Sequence, residues 1–386
     1  MRKLAVIVLV ALLPATVALA QDVDTFFQKL RLQIHGNLAQ GFLFSSGNNY
    51  LSTKSSQGSG KWTEGTLNVT RAITDRFRVG GQLHSYSLGQ LGRQNVMLDW
   101  AHGDYNFASY FGVRAGKVKT PFGLYNDVQD IDAIHPWALL PQAFYGADAR
   151  GFNLAHVGGV IYGEFHLSKR LGTFTYQAFG GIRSQPRNEG FAISMAEQGT
   201  SVGDINGPIG GIDLRWKTPL EGLALGAAYA KVRLDAPNAK TGLFPSPFTD
   251  RYQQELLYAQ FERGKVTLSA EWKLNPVFFN LGSAPASYIP IRAWYAMASY
   301  RATRKLTVGC YYDQSWFFLA NRDRQDPANH LKDVALSSRF DLNRHFYAKL
   351  EGHYMDGNSG SFYRVVNPEG LAKNTALLLA RFGVAF

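Results

Sequence analysis

The chain has 386 residues, 46% of them hydrophobic, with 40 Lys+Arg against 29 Asp+Glu and a formal charge of +11. That basicity invites a nucleic-acid reading, but no block of consecutive Lys/Arg forms a binding stripe, and a secretory leader opens the sequence, so no nucleic-acid partner is expected. A single cysteine, Cys310, excludes an intrachain disulfide framework, and no run of about 20 apolar residues follows the leader to make a membrane-spanning helix.

Arg2 and Lys3 precede the apolar run from Leu4 to Leu13, and Ala18 and Ala20 are small residues where a signal peptidase reads. Residues 1–20 are therefore expected to be cleaved, and residues 21–386 to be exported through the periplasm as one domain. Beyond the leader, hydrophobic residues alternate with polar ones instead of clustering. This predicts an all-β transmembrane antiparallel barrel of about sixteen strands, each of roughly ten residues, with lipid outside and water inside. Aromatic residues are plentiful (Tyr 19, Phe 26, Trp 7), as an interfacial girdle requires.

The first strand is expected over 31–43. Alternation is clearest in four later ones. Val96, Leu98 and Trp100 oppose Asn95, Asp99 and Ala101; Ile212, Leu214 and Trp216 oppose Asp213 and Arg215. Val266, Leu268, Ala270 and Trp272 oppose Thr267, Ser269, Glu271 and Lys273, while Phe346, Ala348, Leu350 and Tyr354 oppose Tyr347, Lys349, Glu351 and His353. Between Leu223 and Arg233 the apolar face changes and no orientation can be read.

Connections alternate in length. Short turns fall at 74–76, 168–170, 262–265, 302–305 and 342–345. Long Gly/Asn/Pro-rich loops fall near 44–61, 119–152, 184–206, 235–251, 275–290, 318–330 and 357–373. Short periplasmic turns and long extracellular loops are the rhythm of an outer-membrane barrel. Residues 119–152 form the third outer connection and the longest. They carry Trp137, Leu139, Leu140, Phe144 and Tyr145 together with Asp127, Asp130 and Asp132, a content unsuited to a solvated loop, so the segment is expected to fold into the lumen as a constriction.

The run Arg114-Ala115-Gly116-Lys117-Val118-Lys119-Thr120-Pro121-Phe122-Gly123-Leu124 resembles the strand end and Pro-Phe-Gly turn of the porin O/P superfamily, which contains phosphate-selective porins. The resemblance covers about 35 residues, from Arg114 to Tyr145. It implies a water-filled channel, often a homotrimer, narrowed by an inward loop. The chain departs from phosphate-selective members in lacking a run of lumenal lysines.

A constriction selects through charge. Asp127, Asp130 and Asp132 are expected to face Arg78, Arg114, Arg183 and Arg339 across the pore, or else to cap a short helix within the loop. Lumenal parity belongs to Arg215, Lys273, Lys349 and Arg381 as well, against Glu64, Asp99, Asp213, Glu271, Asp313, Asp333 and Glu351. Surplus base gathers at the short turns (Arg76, Lys169, Arg170, Arg263, Lys265, Arg304, Lys305, Arg344), suited to anionic headgroups or to a basic pore exit that favours anions.

At the far end Ala376, Leu378, Ala380, Phe382, Val384 and Phe386 share one face. Phe382, Val384 and Phe386 look like the aromatic signature read by the barrel-assembly machinery. An outer-membrane porin passing small hydrophilic solutes, anions included, is the expected function, with membrane lipids and lipopolysaccharide around it. An adhesion or binding barrel is the alternative. A barrel phospholipase built on His353 with Ser359 and Ser361 is disfavoured, because His353 has lumenal parity, and no enzyme activity is expected. His35, His84, His102 and His156 lack ligand spacing, so neither metal nor cofactor is expected, and Cys310 reads as a small lipid-facing filler.

Overall fold

A computed structural model describes residues 31–187, 189–197, 203–235, 249–279, 287–317 and 323–386. The leader reading falls outside them. Among the described residues sixteen antiparallel strands close into one barrel in which each strand pairs with its sequence neighbours and β1 pairs with β16. They are β1 (Leu32–Ser46), β2 (Ser59–Ala72), β3 (Phe77–Leu88), β4 (Val96–Ala108), β5 (Phe111–Lys119), β6 (Ala155–Ser168), β7 (Gly172–Gln185), β8 (Ile205–Lys217), β9 (Leu223–Val232), β10 (Thr249–Arg263), β11 (Val266–Phe279), β12 (Ser287–Arg301), β13 (Leu306–Phe317), β14 (His330–Asp341), β15 (Phe346–Gly357) and β16 (Asn374–Ala385). Closure leaves no unpaired edge, and a barrel of this strand number encloses a lumen that side chains alone do not fill.

The dyad is seen most plainly in β16, where Ala376, Leu378, Ala380 and Phe382 are exposed outside while Thr375, Leu377, Leu379, Arg381 and Gly383 are buried inside. Cys310 is exposed on the outer face. Short turns lie at one end of the barrel and long loops at the other.

Three details differ from the pattern reading. The loop expected at 275–290 is largely strand: β11 runs to Phe279 and β12 starts at Ser287, with Pro276 opposite Pro290. Pro276 escapes the ladder on its other side, since the β10 pairing skips it, so its missing N–H leaves no bond unmade there. In β4 the register shifts by one residue between Gln82 and Leu83, leaving Asp99 as the extra residue of a bulge. Trp100 therefore turns inward opposite Gln82 instead of joining Leu98 outside. In β9 both faces are apolar: Leu225 and Tyr229 are exposed, while Ala228, Ala230 and Val232 are buried inside. No alternation was there to read.

Candidate functional site

The segment between β5 and β6 enters the lumen and touches most of the wall. Its root is a tight turn in which Gly123 takes φ +81, a left-handed conformation that favours glycine. A Cβ at Gly123 would lie 2.5 Å from Glu271 Oε1 and 2.7 Å from Leu256 Cδ2. This closeness has a use. The Gly123 N–H donates to Asp213 Oδ2 at 3.0 Å and the Leu124 N–H to Glu271 Oε1 at 2.8 Å, so two wall carboxylates on β8 and β11 grip the turn by its backbone. Glu271 also accepts from the hydroxyls of Tyr145 and, at 2.6 Å, Tyr295.

Farther along, Glu351 on β15 accepts the N–H groups of Ala138 and Leu139, each at 2.9 Å. Wall cations take the loop's carbonyls. Lys349 Nζ donates to Asp132 O and Trp137 O, both at 2.8 Å, and Arg339 donates to Ala133 O and His135 O. Trp137, Leu140, Tyr295, Met297, Tyr311 and Ala335 form an apolar cluster where loop meets wall, with the Trp137 and Tyr311 rings edge to face at 5.3 Å. At the exit, Arg150 pairs with the bulge residue Asp99 through two bonds, at 2.5 and 3.2 Å.

The three loop aspartates are differently employed. Asp130 is fully buried, 2.8 Å from Lys119 Nζ and bonded to Gln82. Asp132 sits 2.7 Å from Lys349 Nζ, 3.2 Å from Arg381 and 2.5 Å from the Tyr347 hydroxyl. Burial alone would raise its pKa, but Arg381 and Lys349 outweigh burial and hold the carboxyl below its ordinary range. Asp127 is only half-buried; desolvation pushes its pKa up against the pull of Lys119 and Arg114. His135, whose Nε2 lies 2.9 Å from Val128 O, is pushed down to about 4 by burial.

Among the described residues, none of the three loop aspartates forms an ion pair with the four arginines expected to face them across the pore. Arg78 and Arg114 both turn to Asp104 on β4, at 3.2 and 3.4 Å, because the bulge brings Asp104 directly opposite each of them in register. Arg183 is buried over the Phe152 ring at 4.6 Å, and Arg339 pairs with Asp341 at 2.8 Å besides holding the loop. Helix capping fails too: the one-turn helix Asp132–Ile134 has Ile131 at its cap and no side-chain cap bond. Lys119, Gln82 and Arg150, which pattern reading passed over, turn out to be anchors. Only the close backbone approach implied by a Gly after Pro-Phe hinted at the grip on the loop's root.

Between loop and wall remains a cavity of about 80 Å³ lined by Glu64, Tyr86, Gln129, Gln142, Arg150 and Arg381 among others. Nearer the short-turn end Arg78 is exposed (67%), as is Lys217 (58%), while Asp104 is buried (7%). His353 is held inside between Asp333 at 2.8 Å and Glu351 at 3.0 Å, away from the outer face a lipase would use. Phe386 exchanges two 3.0 Å backbone bonds with Gly36, and its ring lies over that glycine, extending the β1–β16 seam.

No family model matches the sequence, and no curated protein matches it. Among solved structures the chain is similar to Salmonella typhi OmpF in complex with daunomycin, with a TM-score of 0.59 at 13% identity over 92% of this chain and 97% of that one. It is similar to an anion-selective porin from Comamonas acidovorans, with a TM-score of 0.59 at 11% identity over 92% and 99%. It is also similar to the trimer form of Vibrio cholerae OmpT, with a TM-score of 0.56 at 12% identity over 92% and 99%. Likeness at such identities establishes the barrel fold.

Proposed function

We propose that the chain is an outer-membrane porin, a water-filled passage for small hydrophilic solutes whose bore is set by residues 119–152. One observation carries this reading: a closed sixteen-strand barrel with an apolar exterior holds a long loop across its lumen by bonds from many strands, instead of filling it with wall side chains. A cavity of about 80 Å³ beside the loop suits solutes of a few heavy atoms. Exposed Arg78 and Lys217 on the short-turn side, facing carboxylates that are more buried, support a preference for anions. The Pro-Phe-Gly resemblance to the porin O/P superfamily supports the same class, and the trimeric neighbour supports a homotrimer. Export with cleavage after Ala20 and assembly read from Phe382, Val384 and Phe386 complete the proposal.

Single-channel recording in planar bilayers tests it. The parent should conduct in discrete steps, and replacing the segment from Tyr125 to Ala149 by a short Gly/Ser linker should enlarge them. Unchanged conductance in variants that show heat-modifiable migration of a folded barrel refutes the constriction. The tight fit of the loop favours one other reading, a plugged barrel that binds a partner through its outer loops; a silent parent that conducts only after loop removal would select it.

A further inference from the structure

Three outward tryptophans stand together near the long-loop end of β11–β13. Trp272 lies directly opposite Trp294, and Arg292 lies directly opposite both Leu274 and Trp316. With Arg324, whose guanidinium lies over the Trp316 ring at 5.7 Å, they enclose a cavity of about 370 Å³ on the outer face. Below the tryptophans four small side chains share this face: Ala270 is opposite Ala296, and Ala298 is opposite Cys310, making a shallow diagonal trough bounded by Leu268 beside Ala298 and by Tyr312, which lies opposite Ala296 and packs on Trp294 at 5.2 Å.

The height of this groove follows from the strand. Arg292 is about nine residues from Arg301 at the short-turn end, which at about 3.4 Å per residue and a tilt of about 40° puts it roughly 23 Å above that end. An apolar band of about 25 Å brings Arg292 to the outer headgroup level. A guanidinium on a lipid-facing wall at that depth reaches the phosphate level of the outer leaflet, where an anion stabilises it through charge-assisted bonds, and Trp belongs at the same interface.

Given the membrane orientation just proposed, we infer that this groove binds one phosphorylated glycolipid of the outer leaflet, a lipid A, with Arg292 and Arg324 on a phosphate, the tryptophans around the sugar and proximal chain, and an acyl chain in the Ala270–Ala296–Ala298–Cys310 trough. Guanidinium forks match phosphate oxygens bidentately, and the trough admits one chain that bulkier side chains would exclude. Nearby Lys332 does not compete for this role, since it is held 3.0 Å from Asp356.

Native mass spectrometry of the folded protein, with purified lipid A as the probe, tests the inference. The parent should carry one lipid A. Retention should fall at least about tenfold in R292Q/R324Q, as loss of two charge-assisted contacts implies, and likewise for dephosphorylated lipid A with the parent protein. Trp294→Ala should weaken retention less, and Lys231→Gln, an outward cation on β9 without tryptophan neighbours, should leave it unchanged. Equal retention by parent and R292Q/R324Q overturns the site. So does unchanged retention in a double variant whose oligomer falls apart, which would make the groove a subunit contact. Conductance is recorded in parallel: a parent that retains lipid A through the arginines but does not conduct keeps the lipid site and removes the pore.

Discussion

Asp132→Asn separates two ideas of what the loop's charge does. If the aspartates merely cast a field across the pore, removing one charge keeps the bore and moves selectivity toward anions. The geometry predicts otherwise. Asp132 lies beside two buried cations, Lys349 at 2.7 Å and Arg381 at 3.2 Å, and it also accepts from Tyr347 at 2.5 Å. Removing one partner of a buried ion pair costs about 3–5 kcal/mol, because the remaining charge is left uncompensated. Arg381 retains Glu64, and the Lys349 bonds to Asp132 O and Trp137 O do not depend on the mutated side chain, so the lower end of that range is the better figure. About 3 kcal/mol is a shift of roughly 10²-fold toward the loop-released state. Single channels of Asp132→Asn should therefore show frequent transitions to a larger conductance, with the parental level still visited. Asp127→Asn, at a half-buried position whose carboxylate makes no ion pair among the described residues and whose bond to Lys119 runs through the backbone carbonyl, should keep a quiet parental trace. If Asp132→Asn channels are quiet, with parental conductance and altered selectivity only, the anchoring argument is refuted and the field picture stands.

Gly123→Ala should loosen the same loop from its root, since the added Cβ meets Glu271 and Leu256 below 3 Å in a left-handed conformation; a cost of about 1–3 kcal/mol should lower the temperature at which the folded band converts on gels, and an unchanged temperature counts against the grip by Asp213 and Glu271. Deleting Phe386 removes two backbone bonds and the ring covering Gly36 at the closing seam, so folding into vesicles should slow; parental rate and yield would show that the seam closes without it. His135 contributes to loop anchoring in its neutral form. With its pKa lowered to about 4 from an ordinary value near 6.5, that contribution is complete above about 6.5 and lost as pH falls through about 4, so channel noise should rise between those values in the parent and less in His135→Gln. A noise profile identical in both proteins would assign the acid effect elsewhere.

Strand number, closure, loop rhythm and the inward path of residues 119–152 were legible because each rests on periodicity or length, which survive without tertiary knowledge. Trp100 was not. A single bulge residue inverts every later side chain on β4, and nothing local in Val96–Ala108 announces it. The inserted residue is Asp99, and its re-aimed carboxylate is the one that binds Arg150, so the irregularity of the wall and the docking of the loop's exit are one feature. In β9 the pattern failed for the opposite reason: Ala228, Ala230 and Val232 meet an apolar part of the lumen, so a polar inner face was never required.

Parity told which charges point inward but not what they do there. Asp213, Glu271 and Glu351 take loop N–H groups, while Lys349 and Arg339 take loop C=O groups, because a backbone segment brought out of water must have its polar groups satisfied by whatever the wall offers. Those wall charges are engaged with the loop and are poorly placed to attract a solute. What stays accessible lies toward the short turns, in Arg78 and Lys217, and these are solvent-exposed. Charges of that kind act over about 8 Å at physiological salt and about 3 Å at 1 M. Under the proposed function, selection is therefore of two sorts: size, set by a loop whose anchors are buried and insensitive to salt, and charge, set by an exposed vestibule whose influence fades as salt rises.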